Sequence, residues 1–184
     1  MPVLASESTL MPDDLFVGSR PQDARSWWLA LTRPRQEKAL ARDLCASEMS
    51  FYLPCTPSRI RVRSRVVTAQ IPLFSGYLFV RLGESERLRV LQSRCVARLT
   101  PVKDQERLWS DLRNVYRLLD FGQPILPHDG LAAGTPIVVR TGPLAGMNGT
   151  IVRSAGGNKF VVHIDLIQRG VAVVVDAETL GRLG

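Results

Sequence analysis

The ten residues from Gly142 to Ile151, reading GPLAGMNGTI, constrain the fold of this 184-residue chain more than any other stretch. They follow the apolar run Ile137, Val138 and Val139 and lead into Ile151 and Val152, so they read as a shaped loop between two strands. Gly142, Gly146 and Gly149 can take positive φ at no steric cost, Pro143 fixes its own φ, and Asn148-Gly149 is a strong tight-turn dipeptide. A phosphate-cradling loop is the competing reading, but it needs Gly-Lys-Ser/Thr opening into a helix. Gly149-Thr150 has no lysine and opens into a strand, so that reading fails.

The rest of the C-terminal third is patterned for strands. From Lys159 to Ile167, alternation turns Phe160, Val162, Ile164 and Leu166 inward and His163 and Asp165 outward, and Val171 to Val175 supplies a closing strand. His163 and Asp165 invite an acid–base role. No nucleophile stands in register with them, so a solvated strand face is the better expectation.

Upstream, strands and helices alternate. Trp27 to Thr32 suits a buried central strand, and Gln36 to Met49 repeats Leu40, Ala41, Leu44 and Cys45 at helical spacing. Phe51 to Leu53 is a short strand. Between Pro57 and Pro72, Arg59, Arg61, Arg63 and Arg65 alternate with Ile60, Val62, Ser64 and Val66, so an extended chain puts four guanidiniums on one face. Leu73 to Leu82 reads as a strand interrupted at Ser75-Gly76, Glu84 to Gln92 as a helix and Val96 to Val102 as a strand. Asp104 is placed to cap an amphipathic helix with apolar positions Leu108, Leu112, Val115, Tyr116 and Leu119. From Gly122 to Gly134 no periodicity survives, which predicts a linker.

Charge and cysteine usage narrow the function class. Twenty-four Lys and Arg against 17 Asp and Glu give a net charge of +7, which favours polyanionic partners. Cys45, Cys55 and Cys95 are odd in number, without a CxxC pair, so metal binding, a disulfide framework and any cofactor are not expected, and a reduced cytoplasmic setting is. The start of the chain is acidic and lacks a long apolar run, so neither a signal peptide nor a membrane span is expected. No paired carboxylates, nucleophile–base spacing or metal set argues for an enzyme.

Three stretches together resemble the NusG family of transcription elongation factors: Trp27-Trp28-Leu29, Pro72 to Val80 (PLFSGYLFV), and Gly142 to Ile151, the last similar to a KOW motif. The second stretch departs from the family pattern by carrying Ser75 where proline is usual. The resemblance implies an α+β fold, with a disordered tail (1–25), a polymerase-binding antiparallel sheet with flanking helices (26–121), a linker (122–133) and a small all-β, SH3-like KOW barrel (134–184). The divergent arginine hairpin and acidic tail favour a bacterial paralogue of the RfaH antiterminator type.

What the resemblance implies for function is a monomeric binding protein that contacts RNA polymerase and lowers pausing or termination. By motif position the polymerase patch comprises Leu31, Phe74, Tyr77 and Phe79. Arg33, Arg35, Lys38 and Arg42, with Arg94, would approach the phosphates of non-template DNA. Arg61 and Arg63 of the hairpin have two readings, a duplex or RNA contact and a charged face that blocks edge pairing. Met147 and Asn148, with Ile167, Gln168 and Arg169, would dock a small-subunit ribosomal protein or the helicase Rho. The alternative is a ribosome- or RNA-binding KOW protein acting in translation.

Overall fold

The computed structural model describes residues 8–62, 64–129, 134–140, 142, 144–154 and 157–174. Arg63, Pro143 and Val175 therefore lie outside the described residues. The chain divides into two compact units, Met1–Gln105 and Glu106–Gly184.

The first unit is built on a five-stranded antiparallel sheet. Its strands are β1 (Leu10–Met11), β2 (Ser26–Thr32), β3 (Ser50–Tyr52), β6 (Tyr77–Leu82) and β7 (Val96–Pro101), in the spatial order β1-β3-β6-β2-β7. Helices α1 (Glu37–Ala46) and α2 (Glu84–Leu91) cover one face, packing Leu40, Ala41, Leu44 and Val90 with Ala30, Phe51, Leu78, Val80 and Leu82. Burying these aliphatic and aromatic side chains is the main stabilisation of the unit, on the order of 2 kcal/mol for each leucine, valine and phenylalanine. Helix α1 stops earlier than its apolar periodicity suggests. Glu48 takes φ +53°, a left-handed conformation that ends a helix, and the Met49 N–H turns back to the Leu44 carbonyl.

The N-terminal segment corrects the expectation of a disordered tail. From Ser8 onward it is packed: β1 pairs Leu10 with Tyr52 and Met11 with Phe51. Phe16 stacks in parallel on Trp27 at 6.2 Å and meets Tyr52 edge-on at 5.0 Å. Arg81 is 3% exposed, and its guanidinium donates to both Asp23 oxygens, at 2.9 and 2.5 Å, and to the Pro21 carbonyl. That hydrogen bond from Arg81, more than any other influence, holds the Asp23 carboxyl below the usual aspartate range. The acidic composition of the segment concealed this role, because among the described residues it buries few apolar side chains, Leu10, Leu15 and Phe16 with Met11 half-buried, beside one carboxylate.

Strands β4 (Cys55–Val62) and β5 (Arg65–Pro72) form a separate two-stranded hairpin. Its register pairs Arg61 with Val66 and Val62 with Arg65. Arg59 and Arg61 therefore share one face and Arg65 takes the other, so the four arginines do not line a single face. The chain reverses between Val62 and Arg65, and alternation does not survive a turn.

In the second unit, helix α3 (Gln105–Asp120) groups with strands β8 (Ile125–Asp129), β9 (Thr135–Val138), β10 (Asn148–Ser154), β11 (Gly157–Ile164) and β12 (Arg169–Val174). The strands form an antiparallel sheet in the order β8-β12-β11-β10-β9. The helix was expected with the N-terminal domain; within this unit Arg117 donates to the Ala145 carbonyl at 2.9 Å and Arg107 pairs with Asp165 at 2.7 Å. Its buried face uses Leu118 where the spacing suggested Leu119. The supposed linker is also partly structured: Ile125 to Asp129 pair with Val173 to Arg169, giving β12 a neighbour on its second edge. Leu166, expected inside, is exposed because a 3-10 turn over Asp165–Ile167 ends the strand alternation before it.

Gly149 also has a different purpose from the one its sequence suggests. Gly142 and Gly146 do take positive φ, but Asn148 and Gly149 belong to β10. A Cβ on Gly149 would lie 2.4 Å from the Phe160 ring and 2.7 Å from the Val161 carbonyl, so the glycine is there for close approach. Gly149→Ala should therefore destabilise the C-terminal unit by about 1–3 kcal/mol through overpacking. Gly146→Ala meets no atom within 4 Å and should lose only the smaller cost of its φ of +80°, on the order of 1 kcal/mol. Urea titrations of the two variants, followed by hydrogen exchange in β10 and β11, check the order.

Candidate functional site

Side chains directly opposite one another in an antiparallel pair share a face. Across β2 and β6 the opposed pairs are Trp27 with Arg81, Leu29 with Phe79 and Leu31 with Tyr77. Across β2 and β7, Leu31 opposes Arg98. Tyr77, Leu31 and Arg98 thus form a row crossing three strands on the face opposite α1 and α2.

The row is fixed by the turn Phe74-Ser75-Gly76-Tyr77. Gly76 has φ +85°, which favours glycine, and the Tyr77 N–H closes the turn onto the Phe74 carbonyl at 3.0 Å. Two further bonds clamp Gly76. Its carbonyl accepts from the Thr32 N–H at 2.8 Å, and its N–H donates to the buried Glu37 carboxylate at 2.7 Å. The end of β2, the first turn of α1 and the start of β6 are tied together at one residue.

The expected contact residues divide by burial. Leu31 is 36% exposed and Tyr77 is half-buried. Phe74 and Phe79, expected on the contact surface, are buried at 1% and 0% and meet edge-on at 6.4 Å. They brace the turn from beneath. The turn folds Phe74 back onto Phe79, and apolar character alone could not separate a displayed aromatic from a bracing one.

The basic residues gather at the same end of the sheet. The Arg33 N–H donates to the Cys95 carbonyl at 2.8 Å, which brings the loop after β2 beside the Ser93-Arg94 turn before β7. Arg33, Arg35, Arg42 and Arg94 are exposed and Lys38 is half-buried. Arg35 itself stands at φ +60°, a conformation uncommon for a side-chain-bearing residue. Sequence reasoning missed two members. Arg98 was legible as the outward position in Val96-Ala97-Arg98-Leu99; Glu37 read as a solvent-facing helix residue and gave no signal.

In the C-terminal unit, the proposed docking loops are only partly on the surface. Asn148 and Gln168 are exposed and Ile167 and Arg169 half-buried, but Met147 is fully buried, its carbonyl accepting from the Val139 N–H. A flexible apolar side chain here fills the interior. Asn148, His163 and Asp165 line one cleft of about 700 Å³ with Arg107, Asp111 and Asn114 of α3. His163 was expected on a solvated face. It is half-buried, 5.9 Å from the His128 ring, and burial pushes its pKa down. Asp111 is buried against Arg107 and accepts from the Asp165 N–H; burial pushes its carboxyl up to about 6.

The sheet of the first unit thus carries helices on one face and a clamped aromatic turn on the other. The family model described as transcription termination factor nusG matches residues 25–124, more than half of the chain. This chain belongs to the NusG family, whose members act in transcription elongation and termination. No curated protein matches it. Among the described residues, no helix is long and apolar enough to cross a membrane.

Two measurements test the site's construction. Glu37→Ala leaves the Gly76 N–H without its acceptor and should cost about 1–3 kcal/mol and speed exchange of that amide, while Glu37→Gln keeps an acceptor and most of the stability. The Asp111 pKa is raised on folding, so its contribution is fully favourable below about pH 4 and is lost as pH rises to about 6. Asp111→Asn should remove that part of the pH dependence, up to about 3 kcal/mol, in unfolding titrations of the full chain from pH 4 to 7.

Proposed function

We propose that this chain is a transcription elongation or antitermination factor that binds RNA polymerase through the face bearing Leu31 and Tyr77. The observation that supports it best is the row Tyr77, Leu31 and Arg98, an aromatic and an aliphatic side chain flanked by a cation and held on a rigid turn. Tyrosine buries a large area at low entropic cost and arginine is enriched at interface centres, so such a row suits a protein contact. Phe74 and Phe79 support the row rather than touch the partner.

The exposed Arg33, Arg35, Arg42 and Arg94, with Lys38, flank the row and suit the phosphates of a nearby DNA strand, through contacts without sequence preference that weaken steeply with salt. The C-terminal unit acts as a KOW domain. It docks a second partner, a small-subunit ribosomal protein or Rho, through Asn148, Ile167, Gln168 and Arg169. The factor works in the cytoplasm by binding rather than by chemistry, in the manner of a specialised paralogue of the RfaH type.

Tyr77→Ala should cost about 2 kcal/mol of polymerase affinity, near thirtyfold, while circular dichroism stays that of the parent. Titration against RNA polymerase checks this, and unchanged affinity overturns the assignment. Immunoprecipitation of the full chain should recover polymerase; recovery of ribosomal subunits alone would favour the translational reading.

A further inference from the structure

The β4–β5 hairpin stands by itself. Among the described residues it pairs with no third strand, and its base is closed by the Leu73 N–H donating to the Pro54 carbonyl at 2.8 Å. The cross-strand register sorts its side chains into two unlike faces. Pro57, Arg59 and Arg61 of β4 stand opposite Gln70, Thr68 and Val66 of β5, and all six are exposed. The other face carries Thr56, Ser58 and Ile60 opposite Ile71, Ala69 and Val67, most of them half-buried.

The exposed face sets two arginines, Thr68 and Gln70 beside Val66 and Pro57, a combination that edge protection does not require. Between Cys55 and Pro72 there are four arginines and no acidic residue. Among the described residues neither Arg59 nor Arg61 enters an ion pair. A charged side chain of either kind on either face would deter strand pairing. That need does not account for Thr68 and Gln70 joining the two arginines on the outward face, with Val66 opposite Arg61 and no carboxylate among them.

We propose that this ribbon enters the major groove of duplex DNA with its Arg59 and Arg61 face toward the base edges. The groove, roughly 12 Å wide, admits a two-stranded ribbon, whereas the deep, narrow major groove of A-form RNA does not. Residues two apart on a strand lie about 6.8 Å apart, which spans two base-pair steps of about 3.4 Å. The side chains match the groove's donor and acceptor code. Arginine forks suit guanine O6 and N7, glutamine suits adenine N6 and N7, and the methyls of Thr68 and Val66 suit the thymine methyl. This contact is separate from the polymerase row and from the phosphate-directed arginines beside it, and does not depend on either.

The test uses the full chain and fluorescently labelled 20-base-pair DNA duplexes, first of random sequence and then from rounds of selection, with double-stranded RNA and single-stranded DNA of the same length as competitors. The parent should bind duplex DNA at least tenfold tighter than either competitor. Arg59→Gln with Arg61→Gln should lose at least tenfold, and Arg65→Gln, on the opposite face, less than threefold. Arg59→Lys with Arg61→Lys, which keeps the charge and loses the fork, should retain general binding and lose the selected preference, as should Thr68→Ala with Gln70→Ala. Equal affinity for double-stranded RNA, parental binding by the double glutamine variant, equal loss from Arg65→Gln, or a preference that survives the lysine variant would each overturn the proposal. Tyr77→Ala should leave duplex binding unchanged, so failure of the polymerase reading shows separately from failure of this one.

Discussion

The N-terminal unit depends on the clamp at Gly76. Its backbone is held from both sides, by the Thr32 N–H and by the Glu37 carboxylate, at a residue whose positive φ suits glycine. Each bond is modest alone, about 1 kcal/mol net, but a buried carboxylate aimed at a backbone N–H leaves little freedom for the turn. Through that turn the position of Tyr77 follows from the end of β2 and the start of α1. The sheet face is then rigid where a partner would meet it, and little ordering remains to be done on contact.

Much of this was legible in the sequence because the apolar periodicities are clean. Trp27 to Thr32, Leu40 to Leu44 and Phe160 to Ile164 declare their element type by spacing alone. What could not be read were choices made by tertiary partners. Phe74 and Tyr77 look equally suited to an interface, yet the turn folds one onto Phe79 and leaves the other on the rim. Gly149 reads as a turn residue by its neighbour Asn148, but the ring of Phe160 decides its purpose. Ile125 to Asp129 lack periodicity because a proline-containing edge strand obtains its definition from β12. Arg65 keeps the spacing of its neighbours and loses their face at the hairpin turn.

The two units handle charge differently. In the first, cations are mostly displayed, at Arg33, Arg35, Arg94 and Arg98 around the row and at Arg59 and Arg61 on the ribbon. In the second, Arg107, Asp111 and Asp165 form a chain in which a buried carboxylate sits between a guanidinium and a backbone N–H. Display suits association with polyanions; the chain through buried Asp111 ties a helix to the turn between β11 and β12 at a cost in desolvation that makes it sensitive to protonation.

The pairing of Arg81 with Asp23 bears on where the N-terminal domain begins. The region matching the family starts at residue 25, two positions after the carboxylate that neutralises a guanidinium only 3% exposed. A boundary drawn by family likeness would therefore leave a cation inside the protein without its counter-ion, an arrangement that typically costs several kcal/mol. A piece that begins at residue 25 should thus be less stable than one that begins before Asp23.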